Sequence, residues 1–330
     1  MTLLISEADV RALLPMKVAL AAVEESFRRQ AAGEIALQSR RRIDFGARGL
    51  LNNMGAADRT GGYFGMKLYA TGRGAPRFLV PLYRAASAEL VALIEADALG
   101  QIRTGAATGV ATKYLARGDA RTAAIIGTGY QARTQLEAIA AVRRLEQVWA
   151  YGRDRERREK FCDEMSAQLG LPVTPANTAQ EAVRGAEIVV TATNSIQPVL
   201  EGGWIRAGTH VNAVGANFAH KRELDSDAVG LAALIAVDSI EQCKTEAGDL
   251  IQVFAGDEAR WSGVVEMAEI VAGKRVGREK SEQITLFKST GLAVWDIAVG
   301  ARVYESAVAT GRGRNVALWD DATGGRTPRV

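Results

Sequence analysis

The chain has 330 residues, of which 48% are hydrophobic and 24% charged; this excludes an intrinsically disordered protein and favours two domains or one elaborated domain. Lysines and arginines number 41 against 38 aspartates and glutamates, which gives a formal charge of +3. With a charge so near zero and no long basic run, the sequence does not favour a nucleic acid partner.

Residues that bind metals or form disulfides are scarce. The two cysteines, Cys162 and Cys243, form no CxxC pair, and the chain has only two histidines, so we expect no metal site and a reducing compartment. Acidic Glu7 and Asp9 come before an apolar signal segment could develop, and no apolar run approaches the roughly 18 residues of a membrane helix. We therefore expect a cytoplasmic protein that does not enter membranes.

The N-terminal 35 residues carry helix signals. Ser6 and Asp9 form a capping-box pattern, and Gly33 is placed to end a helix. Apolar residues recur between them at helical spacing, at Met16, Leu20, Val23 and Phe27. The pattern predicts helix over 1–35 with one buried face.

Residues 36–96 change to short apolar runs between Gly, Asn, Asp and Arg clusters, which is typical of an antiparallel sheet. In the run 63–70, alternation places Lys67 on one face with Tyr63 and Tyr69, opposite an apolar face. Residues 97–115 are helix-compatible and carry Arg103, and three glycines in this segment indicate close packing against another backbone.

Strand-like and helix-like segments alternate from about residue 119. The apolar cores lie at 122–126, 148–151, 187–193, 210–214 and 234–237. Alternation of this kind predicts an α/β fold with a doubly wound parallel sheet. A further strand-like run at 284–289 and an amphipathic helix at 292–310 follow.

The strongest motif is GTGYQA at 127–132, directly after the apolar run TAAII and at the start of a predicted helix. In such a GxGxxA turn, Gly127 allows the tight bend, Gly129 lets a pyrophosphate approach the backbone, and small Ala132 lets the helix pack on the strand. The helix N-terminus offers free N–H groups to phosphate. The motif and its strand-turn-helix context predict a Rossmann-type dinucleotide site.

The end of the second strand indicates which dinucleotide binds. NAD sites usually place an acidic residue there, whereas this chain has Gly152 followed by Arg153. Arg153 favours the 2′-phosphate of NADP, although Asp154 could serve an NAD ribose if the strand ends later. We predict NADP in preference to NAD.

Five segments together resemble the ornithine cyclodeaminase and mu-crystallin family. They are IRTGAATG at 102–109, GTGYQA at 127–132, VNAVGAN at 211–217, EAGDL at 246–250 and FKSTGLAVWD at 287–296. The resemblance spans essentially the whole chain. It implies a Rossmann domain over 119–291 and a second, discontinuous α+β domain over 1–118 and 292–330 that binds substrate and forms a homodimer.

The resemblance also implies a site for a small anionic substrate. An arginine before the first sheet strand, a strand lysine and the arginine of the RT-A-A motif would hold the substrate carboxylate. These fall on Arg41, with Arg42 as the neighbouring alternative, on Lys67 and on Arg103. Lys67 would also serve the imine nitrogen.

The position where cyclodeaminases carry a catalytic aspartate is Asn217 in this chain. An asparagine can form hydrogen bonds but cannot ionise, so it is no general base. We count Lys67 and Asn217 as the candidate catalytic residues. The remaining residues expected to line the cofactor cleft are Thr104, Gly127, Thr128, Gly129, Tyr130, Gln131, Ala132, Arg153, Thr191, Ala192, Thr193, Val214, Gly215, Lys288, Ser289 and Gly291.

The activity that follows is NAD(P)H-dependent reduction of a small 2-imino acid, or the reverse dehydrogenation of an amino acid. The hydride chemistry would belong to the cofactor and the placement of substrate to the protein. Two alternatives remain open: cyclising deamination of ornithine, and a non-catalytic ligand-binding role like that of mu-crystallin.

Overall fold

The computed structural model of the protein describes residues 1–46, 49–72 and 74–318. Its strands are Thr2–Ile5 (β1), Ile35–Asp44 (β2), Leu50–Asp58 (β3), Tyr63–Thr71 (β4), Arg77–Arg84 (β5), Leu90–Glu95 (β6), Thr122–Ile126 (β7), Gln147–Tyr151 (β8), Val173–Pro175 (β9), Ile188–Thr191 (β10), His210–Ala213 (β11), Leu234–Val237 (β12), Val264–Glu266 (β13), Thr285–Lys288 (β14) and Arg314–Val316 (β15). Its α-helices are Glu7–Leu13 (α1), Met16–Ala31 (α2), Asp97–Leu115 (α3), Tyr130–Val142 (α4), Arg155–Leu169 (α5), Ala179–Val183 (α6), Ser226–Gly230 (α7), Ile240–Glu246 (α8), Gly248–Phe254 (α9), Glu258–Ser262 (α10), Met267–Val271 (α11) and Ala293–Thr310 (α12).

Strands β7 to β14 form a parallel sheet of eight strands in the order β13-β12-β14-β11-β10-β7-β8-β9. Side chains alternate along each strand and fill a core on either face. In β7, Ala123 and Ile125 join one buried cluster, while Ala124 and Ile126 join another. The predicted doubly wound parallel sheet is thereby confirmed.

Strands β1 to β6 and β15 form a second, mixed sheet in the order β15-β1-β6-β5-β4-β3-β2. Its meander of antiparallel strands matches the prediction for 36–96. The prediction of helix over 1–35 was wrong at the start, because Thr2–Ile5 is a strand that pairs parallel to β6 and antiparallel to β15. A four-residue strand gives too short a pattern to be distinguished from the helix signals that follow it.

Helix α3 lies between the two sheets and is buried along most of its length. It packs against α4, and a Cβ on Gly105 would lie 2.3 Å from the carbonyl oxygen of Thr134. The glycine spacing therefore serves the close approach of two helices, as predicted. Helix α3 carries Arg103, so the helix with this predicted substrate residue packs directly on α4, the helix that follows the GTGYQA turn.

The described chain contains two separate sheets, and the division into two domains stays a prediction. The exact boundaries after residues 118 and 291 stay a prediction, and residues 319–330 of the second domain lie outside the described residues. Helix α12 returns the chain to the mixed sheet, where it packs on α2, β3 and β4. Within the described ranges, no helix is both long and apolar enough to cross a membrane.

Candidate active site

A cavity of about 470 Å³ lies between the mixed sheet and the carboxyl ends of the parallel strands. One wall carries Lys67 of β4 and Arg103 of α3, and the other is made by the loops after β10, β11 and β14. Clefts at this edge of a doubly wound sheet are where such folds bind ligands. The cavity therefore brings predicted substrate residues and predicted cofactor residues into one space.

The GTGYQA turn has the shape that a pyrophosphate requires. Gly127 has φ +107° and its Cβ would lie 2.5 Å from the carbonyl oxygen of Ala192, so a side chain is excluded there. A Cβ on Gly129, in contrast, would meet nothing within 4 Å, which leaves space beside the backbone. Ala132 is fully buried where α4 packs on the sheet.

Helix α4 begins directly after this turn. Gly129 is its N-cap residue, and among the described side chains none accepts a hydrogen bond from the first turn. Free N–H groups at this end suit a phosphate. The residues present therefore fit a dinucleotide, with Tyr130 and Gln131 at the point where the turn meets the cavity.

A buried carboxylate shapes the loops after β10 and β11. Glu223 accepts hydrogen bonds from the backbone of Thr193 at 2.7 Å and of Gly215 at 2.7 Å. Thr191 also donates to Glu223, at 3.0 Å, so its hydroxyl points beneath the cleft instead of into it. Ala192, Thr193, Val214 and Gly215 line the cavity. The predicted cleft residues of this region thus come together, with the exception of Thr191.

Lys288 does not line the cavity, contrary to the sequence-based expectation. It is fully buried, with Nζ 2.8 Å from Asp249 and 2.6 Å from the carbonyl oxygen of Ala216. Burial opposes its charge, but Asp249 and Glu223 raise the pKa of Lys288. Because alternation along β14 turns this residue beneath the loops, Lys288 supports the cleft wall from behind.

The loop after β14 is held by another buried carboxylate. Asp238 accepts hydrogen bonds from the Ser289 hydroxyl at 3.0 Å and from the backbone of Thr290 at 2.8 Å and of Gly291 at 2.6 Å. Ser289 and Gly291 line the cavity as predicted, and Thr290 joins them. The cleft edge is therefore fixed before any ligand binds.

Lys67 projects from β4 into the cavity and is only 4% exposed. Its Nζ lies 2.9 Å from Asp296 and 5.0 Å from the centre of the Phe78 ring. Burial lowers the pKa of Lys67 to about 8, against the opposing effect of Asp296, and Arg103 contributes to the lowering. A lysine with a pKa near neutrality can give and take a proton at physiological pH.

Arg103 lies beside Lys67 and shares its partner. Its Nε donates to the same Asp296 oxygen at 3.2 Å, and the guanidinium lies 5.6 Å from the Trp295 ring. Within the described residues, the two terminal nitrogens of Arg103 make no hydrogen bond, and Arg103 and Thr104 line the cavity. The free edge of the guanidinium is the part that can hold a carboxylate in bidentate geometry.

The arginine on β2 that faces the cavity is Arg40, not Arg41 or Arg42. A bulge between Gln38 and Arg41 shifts the register of β2 against β3, and Arg41 then pairs opposite Asn53 and is exposed. Arg40 lines the cavity, where it contacts Glu246 at 2.6 Å and the Thr290 carbonyl at 2.9 Å. Arg41, which was expected from its spacing to Met54, therefore lies one residue after the arginine that faces the cavity, because the spacing holds only for an unbroken strand.

Arg42 has a different role from either neighbour. It contacts Glu246 at 2.8 Å, donates to the carbonyl of Asn217 at 3.0 Å and lies 4.3 Å from the Phe218 ring centre. It therefore fixes the loop after β11, on which Asn217 and Phe218 line the cavity. The predicted alternative to Arg41 thus contacts the loop that carries Asn217.

Sequence reasoning missed several cavity residues. Tyr69 and Phe78 stack with ring centres 4.6 Å apart on neighbouring strands β4 and β5. Other lining residues that no motif indicated are Asn52, Met54, Thr71, Pro76, Asp97, Asn194 and Phe218. Five of the missed residues, Asn52, Met54, Tyr69, Thr71 and Phe78, lie on strands of the mixed sheet. Strand pairing decides which of these side chains meet, and no local sequence pattern reports it.

Arg153 lies at the far end of the predicted dinucleotide site, after β8. Asp154 is engaged as the N-cap of α5, where it accepts from the backbone of Arg157 at 3.0 Å. Arg155 pairs with Glu159 at 2.7 Å, while within the described residues Arg153 has no ion pair and is exposed. Arg157 lies 3.6 Å from Asp154, so among the described residues Arg153 is exposed and unpaired while Arg155 and Arg157 each have a carboxylate partner.

Fold, cleft and the relatives described next define the class: the protein is a Rossmann-type oxidoreductase whose cleft is lined by Arg40, Lys67 and Arg103. The chain belongs to the ornithine cyclodeaminase/mu-crystallin family, whose sequence model matches residues 1–311. This confirms the resemblance carried by the five sequence segments.

Individual relatives are similar over most or all of the chain. A Delta(1)-pyrroline-2-carboxylate reductase of Bacillus cereus is 43% identical over 229 residues, 69% of this chain and 70% of that protein. The structure of the Thermococcus litoralis Delta(1)-pyrroline-2-carboxylate reductase in complex with NADH and L-proline has a TM-score of 0.91 at 36% identity, covering 96% of this chain and all of that one. An archaeal alanine dehydrogenase dimer with bound NAD has a TM-score of 0.90 at 33% identity, covering 96% and 99%.

Proposed function

We propose that the protein reduces a small 2-imino acid to an amino acid with NAD(P)H, or catalyses the reverse dehydrogenation. The observation that carries this proposal is the shared cavity, in which Lys67 and Arg103 face the loops beside the predicted dinucleotide turn. The relatives named above are a Delta(1)-pyrroline-2-carboxylate reductase and an alanine dehydrogenase. Reduction of a 2-imino acid and dehydrogenation of an amino acid are the same hydride transfer at Cα in opposite directions.

The cations of the cavity account for binding of the substrate carboxylate. Arg103 offers its free guanidinium edge, and Arg40 has a buried Nε without a partner in the described part of the chain. Both guanidinium groups are held from behind by carboxylates, Asp296 and Glu246. Fixed donors of this kind orient a carboxylate without reorganisation of the site.

Lys67 supplies the proton that the reduction consumes. A bound nicotinamide cofactor supplies the hydride to the imine carbon. As the C=N bond becomes a single bond, the electron pair on nitrogen takes a proton from the Lys67 ammonium group, and solvent later restores that proton. The lowered pKa of Lys67, about 8, suits both this transfer and its reversal.

The apolar part of the cavity favours a cyclic ketimine. The stacked rings of Tyr69 and Phe78 form a flat wall, and Met54 and Pro76 extend it. A five- or six-membered ring buries apolar surface against such a wall, which contributes roughly 25 cal/mol per Å² buried. A charged side chain would lose hydration there without gaining a partner from these four residues.

The decisive experiment is NADH and NADPH oxidation with a cyclic ketimine carboxylate, and with pyruvate, glyoxylate or oxaloacetate plus ammonia or methylamine. We expect the cyclic ketimine to be the best substrate. The K67M variant should lose about a hundredfold or more in kcat with cofactor binding retained. K113M, at an exposed lysine paired with Glu24, is the matched control. A wild-type protein that binds cofactor but reduces none of these acids would support a non-catalytic binding role.

Cyclising deamination of ornithine is not our proposal, because Asn217 lines the cavity where cyclodeaminases carry an aspartate. The protein should release no ammonia and form no proline from ornithine with catalytic NAD. Formation of both products would show that a different group performs the proton transfers.

For the cofactor, we infer a preference for NADP over NAD. Support comes from the uncommitted charge of Arg153 and from the engagement of Asp154 as a helix cap. R153Q should raise the KM for NADPH more than the KM for NADH, whereas R155Q, at an exposed arginine two residues later that is paired with Glu159, should change neither. Equal effects of R153Q on both cofactors would contradict the inference.

We further propose a cytoplasmic homodimer formed through the outer face of the mixed sheet. Cys162 and Cys243 are free thiols in the described structure, which suits a reducing compartment. The outer face exposes Ile43, Leu51 and Leu79, each 36% or more exposed. An apolar sheet face of this kind usually marks an interaction surface.

A further inference from the structure

Asp296 is a buried carboxylate that receives two cations on one oxygen. Lys67 Nζ lies 2.9 Å and Arg103 Nε 3.2 Å from its Oδ1, although these partners are 229 and 193 residues away in the chain. Asp296 itself has no exposed surface, and its Oδ2 has no partner among the described residues. The carboxylate therefore has no role at the surface, and its contacts are with the residues that form the substrate site.

Several independent features of the fold position the Asp296 carboxylate and the Lys67 ammonium group against each other. Asp296 lies in the first turn of α12, where the helix dipole stabilises a negative charge. Gly100 of α3 makes room for the lysine, because a Cβ there would lie 2.6 Å from Lys67 Nζ. The Phe78 ring of β5 lies on Lys67 at 5.0 Å. Residues of three elements, α12, α3 and β5, thus surround one ammonium group.

The charges around Lys67 would be unfavourable without Asp296. Arg103 of α3 and Arg40 of β2 both act on Lys67 with like charge, and Asp296 of α12 is the opposing negative charge. Removing one partner from a buried ion pair is strongly unfavourable, because the remaining charge is left uncompensated. Lys67 would respond by releasing its proton more readily.

We propose that Asp296 is a positioning residue, which presents the Lys67 ammonium group and the Arg103 guanidinium edge together to one substrate and keeps Lys67 charged as the proton donor. This inference rests on the proposed imine reduction, in which Lys67 donates the proton. Asp296 acts through Lys67 and Arg103 and need not touch the substrate.

The test compares D296N with D296E in the full chain. D296N keeps the size of the side chain but removes its charge, so Lys67 should lose its proton at lower pH. The fall of kcat/KM for imine reduction on the alkaline side should move down by about one pH unit or more. D296E retains the charge and should keep the wild-type position of this fall, even if its rate is lower.

A matched control is D58N. Asp58 is also a buried carboxylate paired with an arginine, at 2.8 Å from Arg29, but it lies outside the cavity. D58N should lose stability and leave the pH profile unchanged. If D296N and D58N behave alike, with lower thermal stability and wild-type pH profiles, Asp296 is only a structural ion-pair partner and the proposal is wrong.

A second readout does not need turnover. The rate at which acetic anhydride modifies Lys67 as a function of pH, followed by peptide mass spectrometry, reports the ionisation of Lys67 directly. We expect this curve to move to lower pH in D296N and to stay in place in D296E. If the wild type reduces no imino acid but the curve still moves, the positioning role stands and the proposed function fails. If D296N does not fold, a shifted curve in D296E overturns the proposal.

Discussion

One extra residue in strand β2 decides which arginine reaches the substrate cavity. The bulge between Gln38 and Arg41 leaves Arg40 facing inward and Arg41 exposed on the outer face. Loss of the inward guanidinium removes a charged hydrogen-bond donor, an effect of roughly 1.5–3 kcal/mol. Glu246 keeps Arg42 as a partner, so the loop contacts remain.

We therefore expect R40Q to raise the KM for the imino acid about ten- to hundredfold. The adjacent R41Q is the matched control and should leave KM unchanged. Both should be assayed at protein concentrations where light scattering shows the wild-type oligomeric state, because Arg41 lies on the proposed dimer face. A higher KM for the imino acid in R41Q with a normal KM in R40Q would show that Arg41, and not Arg40, binds the substrate.

The residues that sequence reasoning placed in the cavity are those with a local signal. The RT-A-A motif brought in Arg103, and strand alternation put Lys67 on a defined face. Lys288 was misplaced because a motif does not reveal whether a side chain points above or below a loop. Asp296 lies in the segment FKSTGLAVWD, but the sequence did not indicate a role for it. The only signal for it was a lone carboxylate in an otherwise apolar helix start, and its partners are too distant in sequence to be predicted.

At the scale of elements, the turn between β7 and α4 contains two glycines, and a side chain would have a different effect at each. Gly127 has positive φ and a backbone carbonyl 2.5 Å from where its Cβ would be. Gly129 has extended backbone and open space on that side. One glycine serves the fold, and the other leaves open space where the motif predicts a pyrophosphate.

The variants G127A and G129A should therefore differ: one should lose thermal stability and the other affinity for the cofactor. G127A should lower the thermal midpoint by several degrees, because about 1 kcal/mol or more of strain and steric conflict cannot relax. G129A should keep the wild-type midpoint but raise the KM for the cofactor, because its methyl group lies where the phosphates approach. Thermal melts without cofactor and cofactor titrations give both readouts. Equal thermal midpoints in G127A and G129A would contradict these separate roles.

A buried histidine joins two strands of the parallel sheet. His210 of β11 contacts the Thr285 hydroxyl of β14 at 3.0 Å and Asn212 at 3.2 Å. Burial, with a smaller contribution from Arg278, lowers the pKa of His210 to about 3. The unfolded chain, with a histidine pKa near 6.5, binds this proton first as pH falls. Stability is thus lost on acidification below about pH 6.5.

Between pH 7 and pH 4 this group should lower the free energy of unfolding by about 3 kcal/mol. H210Q removes the titrating ring, so its stability at pH 7 should be lower but its loss on acidification smaller than that of the wild type. Urea denaturation at both pH values measures this difference. The exposed His220 provides the control H220Q, which should keep the wild-type acid dependence. An unchanged acid dependence in H210Q would show that other groups cause the loss.

For the whole molecule, the parallel sheet could be predicted more completely than the mixed one. Each βα unit carries its own alternation of apolar strand and polar helix, so local pattern and fold agree. The mixed sheet is closed by β1 and β15, which are short and come from opposite ends of the chain. No local pattern pairs them, and several of the missed cavity residues, such as Asn52 and Phe78, lie on this sheet.

The outer face of the mixed sheet has a regular apolar pattern. Ile43, Leu51 and Ala70 stand opposite one another on β2, β3 and β4, and Leu68 stands opposite Leu79 on β4 and β5. The inner face of the same sheet packs on α12, whereas the outer face leaves Ile43 56% exposed. A second copy of the chain would remove this apolar surface from water.

The wild type should therefore sediment at twice the 35.2 kDa mass of the chain. The double variant I43E/L79E places two carboxylates in the proposed interface, where burial without partners is costly, and should sediment at the single-chain mass. The control L231E/V276E adds the same charges at residues that are 48% and 66% exposed outside the mixed sheet. This control should stay dimeric. A double variant that remains a dimer at micromolar concentration, with a folded circular dichroism spectrum, would place the interface elsewhere.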